Sequence, residues 1–183
     1  MTILPNNERV AIWNALFVRA FDDASSLANL RRLAPRRSLK PQIVLPPAKA
    51  HALLLLGSCA LAIEARCNHL IDDLVEKGRL SEEEGAAIQR LPARAKWFML
   101  PRLAGSRARF DPGRKPHSAI AEICGQRNAL VHVNYTKLGQ GIPSADKALA
   151  LFRDFVEAME HLNVVLRRIR RPRRRVLDVG RFL

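Results

Sequence analysis

Within residues 120–135 four side chains have the types and spacing for phosphate chemistry: Arg127, Asn128, His132 and Tyr135. On a helix turning about 100° per residue, Asn128, His132 and Tyr135 follow at steps of four and three and share one face. Arg127 lies beside that face, in the middle of an apolar stripe formed by Ile120, Ile123, Leu130 and Val131. A guanidinium does not give up its proton, so burying it unpaired is very costly. It must meet a carboxylate, face a wet cleft or lie at an interface.

RNA is the substrate class that such a set suits, because RNA carries its own nucleophile, the 2′-hydroxyl. Cleavage then needs a proton acceptor or donor and a cation near the phosphate. His132, with an ordinary pKa of about 6.5, can make either proton transfer. Arg127 can hold the phosphate through two parallel hydrogen bonds and stabilise charge building on its oxygens. Asn128 can orient His132 or donate to the phosphate. This chemistry requires no metal, and no cluster of His, Cys, Asp and Glu has ligand spacing, so neither metal nor cofactor is expected. A structural alternative stands beside this reading. In it Arg127 is a buried arginine paired with Glu64, and His132 is a half-buried histidine capped by Asn128.

These side chains must be positioned by helices, since helical periodicity dominates the chain. Val10, Trp13, Phe17, Ala20, Ala24 and Leu27 form one apolar stripe. Arg31, Arg32, Arg36, Arg37 and Lys40 follow, interrupted by prolines that forbid a continuous helix and mark a basic linker. A second helix has Leu53, Leu56, Ala60, Ile63, Cys67, Leu70 and Leu74 as its seam, widened by Leu54, Leu55 and Leu61, as a central bundle helix would. Gly78 is placed to end it. Ser81 and Glu84 have the spacing of a capping box opening a short acidic helix that ends near Pro92. One or two further turns are predicted over 93–100, a basic loop over 105–117 and a helix from Ser118 to about Tyr135. Ser144 is placed to cap a last long helix with Leu149, Phe152, Phe155, Met159, Leu162, Val165 and Ile169 as its seam. The expected class is all-α.

The segment Arg127-Asn128-Ala129-Leu130-Val131-His132, after an apolar helical lead-in, resembles the signature of the HEPN superfamily. Residues 62–71, with Glu64 and Asn68 one turn apart, resemble the Glu-plus-Asn helix that often precedes that signature. The resemblance spans roughly residues 50–170. It implies a HEPN-like bundle of four to five helices, here with an extra N-terminal helix (residues 1–33), a basic Pro-containing linker (34–48), the helical domain (49–170) and an Arg-rich tail (171–183). It further implies a homodimer in which the Arg-to-His helices of two protomers face each other and form a composite active site. Many members are metal-independent endoribonucleases of toxin–antitoxin and phage-defence systems, so an antitoxin or defence-system partner is implied as well. Others have lost catalysis and bind nucleic acid or nucleotides. By resemblance Arg127, Asn128 and His132 are catalytic, and Glu64, Asn68 and Tyr135 line the cleft. Glu64 and Asn68 can equally serve to fix two helices together. In some members a tyrosine two residues after the histidine is modified by a partner enzyme; Tyr135 stands three residues after His132, which departs from that pattern.

Charge supports a polyanionic partner. Lys and Arg number 31 against 17 Asp and Glu, a net charge of +14, which attracts nucleic acid first and acidic membrane second. Residues 167–175 hold seven arginines and no acid: Arg167, Arg168, Arg170, Arg171, Arg173, Arg174 and Arg175. They are expected to contact RNA, although a solvated charged end has the same composition. Aromatic residues at 5% are too few for a base-stacking platform. The cysteines Cys59, Cys67 and Cys124 form no C-x-x-C pair and read as small apolar fillers. The N-terminus has no signal-peptide layout, and the apolar run over 52–63 is short for a bilayer and runs into Glu64. No membrane partner and a cytoplasmic location are expected.

Overall fold

The computed structural model describes residues 6–33, 47–131 and 142–167, with side chains described over 14–29, 47–127 and 142–167. The described residues form six helices: α1 (Asn6–Leu33), α2 (Pro47–Glu76), α3 (Glu82–Gln89), α4 (Ala93–Leu103), α5 (His117–Val131) and α6 (Ala145–Arg167). No strand occurs among them, so the class is all-α.

The leucine-rich α2 touches all five other helices. Its buried residues, Leu55, Leu56, Ile63 and Ile71 among them, come from more than one side of the helix, because a helix apolar most of the way round lowers its free energy only when covered on most sides. It is also the one described helix long and apolar enough to cross a bilayer. The short run over 52–63 is thus part of a 30-residue helix, and here that helix serves as the axis of a bundle.

α1 lies along α2 within the same chain. Ser58 Oγ of α2 donates to Asp23 Oδ2 of α1 at 2.6 Å, and Arg19 bridges the same carboxylate at 3.1 Å. Phe17 and Phe21 of α1 meet Phe155 and Phe152 of α6 with ring centroids 5.6 and 5.0 Å apart. α2 starts at Pro47, two residues inside the predicted linker, since proline suits the first turn of a helix, where its missing N–H costs no bond.

Local signals set the other boundaries. Gly78, at φ 63°, turns the chain after α2, and the Arg79 N–H returns to Leu74 O at 2.9 Å. Ser81 and Glu84 form the expected capping box, with bonds of 2.8 and 3.1 Å. Gly85 lets α3 approach α2: a Cβ there would lie 2.5 Å from a Val75 methyl. α4 runs past the predicted end at Leu100 to Leu103, with Pro101 in its last turn. α5 begins at His117, and the rest of its predicted length, over 132–135, lies outside the described residues. Ser144 caps α6 by accepting from the Lys147 N–H at 3.2 Å.

Candidate functional site

Glu64 and Asn68 of α2, Lys96 of α4 and Arg127 of α5 converge where these three helices pack. Ile120 and Ile123 anchor α5, each wholly buried against the core. Arg127 follows Ile123 by four residues and is exposed. The apolar stripe therefore leaves the core at this turn, and the guanidinium has contact with water.

Glu64 has a second cation beside it, one of α4. Its Oε1 forms an ion pair with Lys96 Nζ at 3.4 Å. The same ammonium donates to Asn68 Oδ1 at 2.7 Å and to the Gln89 carbonyl at 3.2 Å. Lys96 has no exposed surface, whereas the Glu64 side chain is 37% exposed. A buried ammonium must be given acceptors for its three protons and a counter-charge; one turn of α2 supplies the carboxylate and the amide, and the end of α3 the carbonyl. Lys96 occupies Oδ1 of Asn68, so the amide NH2 points away from the ammonium, and the second Glu64 oxygen remains an acceptor.

Cys124, on α5, reports the charges gathered at this seam. Burial pushes its thiol up to about 11; Glu64 adds to the rise, and Arg94, Arg127 and Lys96 oppose it. Arg94 and Arg127 are both exposed. The seam thus sets two solvent-facing guanidinium groups and a buried ammonium against one half-exposed carboxylate, an arrangement that suits an anion with hydrogen-bonding oxygens. Cys59 and Cys67 are also buried, with their thiols pushed well above the ordinary range by desolvation.

The predicted site residues divide accordingly. Glu64, Asn68 and Arg127 are brought to one seam. Asn128 falls within α5 with its side chain outside the described residues, and His132 and Tyr135 lie outside them entirely. Arg167 is exposed at the end of α6; Arg168, Arg170, Arg171, Arg173, Arg174 and Arg175 lie outside the described residues. Lys96 escaped the sequence reading, although a lone lysine before the apolar run Trp97-Phe98-Met99-Leu100 carries the same signal that singled out Arg127.

A second polar cluster joins α4, α5 and α6. Trp97 Nε1–H donates to His117 Nδ1 at 3.3 Å, which puts the proton of neutral His117 on Nε2, facing His161 Nδ1 at 2.9 Å. Phe110 stacks on His117 at 3.8 Å. Burial, and then His161, hold His117 down to about 4. A separation of 44 positions between the two histidines leaves no spacing signal. Among the described residues no three His, Cys, Asp or Glu side chains gather as a metal would require. No protein-family model, curated protein or solved structure matches the chain.

Proposed function

We propose that the protein is a metal-independent endoribonuclease of HEPN type, of the toxin or phage-defence kind, acting as a homodimer. The observation that carries this reading is the exposed Arg127 on α5, set at the seam where Lys96 holds Glu64 and Asn68. A cation fixed to a rigid helix beside oriented donors and acceptors is suited to bind a phosphodiester and to stabilise charge developing on its oxygens.

In the proposed reaction His132 accepts the proton of the 2′-hydroxyl as its oxygen attacks the adjacent phosphorus. Arg127 binds the non-bridging oxygens. The bond from phosphorus to the 5′ oxygen breaks, and a protonated histidine delivers a proton to that oxygen. In a dimer the His132 of each protomer supplies one of the two roles. The products are a 2′,3′-cyclic phosphate and a 5′-hydroxyl. The test is RNA cleavage in EDTA by the wild-type protein and by His132→Ala, matched for folding and oligomeric state. Cleavage by the first alone supports the reading. Equal cleavage by both, or none by either, removes His132 from the chemistry.

A second reading, a non-catalytic module that binds nucleic acid or a protein partner, is favoured by the net charge of +14, which supplies affinity without chemistry. It predicts that His132→Ala leaves function intact and that deleting residues 167–183 abolishes it.

A further inference from the structure

The connection between α4 and α5 is rich in arginine yet pinned in place. Arg102, Arg107, Arg109, Arg114 and Lys115 are all exposed, and Asp111 is the one acid among residues 102–115. A flexible loop of this composition would pay an ordering cost for every contact it made. Here the backbone is held at several points. Gly105 takes φ 84°. Ser106 N–H reaches Pro101 O at 2.7 Å, Arg79 Nη1 donates to Ala104 O at 2.7 Å, and the Ala108 N–H donates to Ser106 Oγ at 3.0 Å.

Residues 107–110 alternate. Ala108 packs on the core and Phe110 is 6% exposed, while Arg107 and Arg109 are exposed. This alternation is the pattern of an extended chain, whose successive side chains point to opposite sides, so two inward apolar residues set two arginines outward. Phe110 is the plug: it stacks on His117 at 3.8 Å and lies 5.9 Å from Trp97, which is wholly buried. The outward arginines are two residues apart, about 7 Å along extended chain, comparable to the separation of neighbouring phosphates along one strand.

Charge partners differ along the segment. Arg114 is 3.5 Å from Asp111, and Lys115 is 2.9 Å from Asp154. Among the described residues neither Arg107 nor Arg109 makes an ion pair with a carboxylate. They are two cations held at fixed spacing on a rigid edge.

The geometry points to Arg107 and Arg109 as a phosphate-binding ledge that takes neighbouring phosphates of a single RNA strand, with Phe110 as its anchor. The choice of RNA rests on the function proposed above; the ledge itself does not depend on cleavage.

The test is binding of the full chain to a fluorescent 2′-O-methyl oligouridylate. This strand lacks the attacking hydroxyl and therefore reads affinity whether or not the protein is a nuclease. Arg107→Gln/Arg109→Gln is compared with a control pair of exposed arginines, Arg90→Gln/Arg153→Gln, all matched by thermal melting. Two lost phosphate contacts should weaken binding about tenfold near physiological salt and lower the slope of log K against log salt by about 1.4, with the control pair near wild type. Phe110→Ala keeps every charge and should lose part of the affinity, because the ledge is no longer held. An unchanged affinity and slope in the ledge variant, an equal loss in the control pair, or no binding by the wild-type chain would each overturn the proposal. So would a ledge that governs binding to vesicles of anionic lipid and leaves RNA binding untouched.

Discussion

Lys96 Nζ lies 2.7 Å from Asn68 Oδ1, with the lysine wholly buried and the amide half-buried. One ammonium inside the bundle thereby sets the direction of a polar group nearer its surface. The bond ties α4 to α2.

Removing Lys96 is expected to loosen this region before it unfolds the protein. Lys96→Ala leaves Asn68 Oδ1 and Gln89 O without their donor and opens a cavity, a loss of about 2–4 kcal/mol. Lys96→Met fills the space and should cost less. Urea unfolding of both variants, with unchanged m-values, measures the difference.

Acid should weaken the contact between α5 and α6. His117 is held down to about 4 in the folded chain, below the ordinary value of about 6.5 it regains on unfolding. The unfolded state therefore binds more protons between these values, so stability falls as pH falls through that window and stops falling below it. The change is about 3 kcal/mol between pH 8 and pH 4. The groups around the ring are Trp97, Phe110 and His161, and Lys115, two residues before His117, pairs with Asp154 of α6. His117→Phe should flatten this part of the urea-midpoint profile; a profile as steep as wild type would assign the acid sensitivity elsewhere.

Gly85→Ala sets two effects against each other. Alanine favours a helix over glycine by about 1 kcal/mol, but the new Cβ would lie 2.5 Å from a Val75 methyl. Overpacking of this kind costs about 1–3 kcal/mol, and the expected outcome is a lower melting temperature. Val75→Ala in the same chain should recover much of the loss, and a double-mutant cycle reads the coupling directly.

Arg127→Ala should slow RNA cleavage by about 10²–10³, the range for a lost transition-state donor. Arg127→Lys should recover only part, since an ammonium cannot make two parallel bonds to phosphate. Single-turnover rates at saturating RNA separate this from a loss of binding.

Much of the fold was legible because its signals lie between close neighbours. The Ser81 and Glu84 capping box, the positive-φ turn at Gly78 and the Ser144 cap each use bonds spanning only a few residues, so spacing alone specifies them. The seams of α2 and α6 were legible for a related reason: burying a stripe requires residues repeating at the helical period. The site was legible only as candidates. Glu64 had two cations available, Arg127 and Lys96, and nothing in their spacing ranks them. Only the tertiary structure brought Lys96 to Glu64, because packing α4 against α2 removed Lys96 from water and made a nearby carboxylate and amide necessary. The His117 and His161 pair, 44 residues apart, and the outward set of Arg107 and Arg109 are likewise products of packing. In each case a contact between distant segments fixed which groups are desolvated and which face out, and that belongs to the assembled bundle.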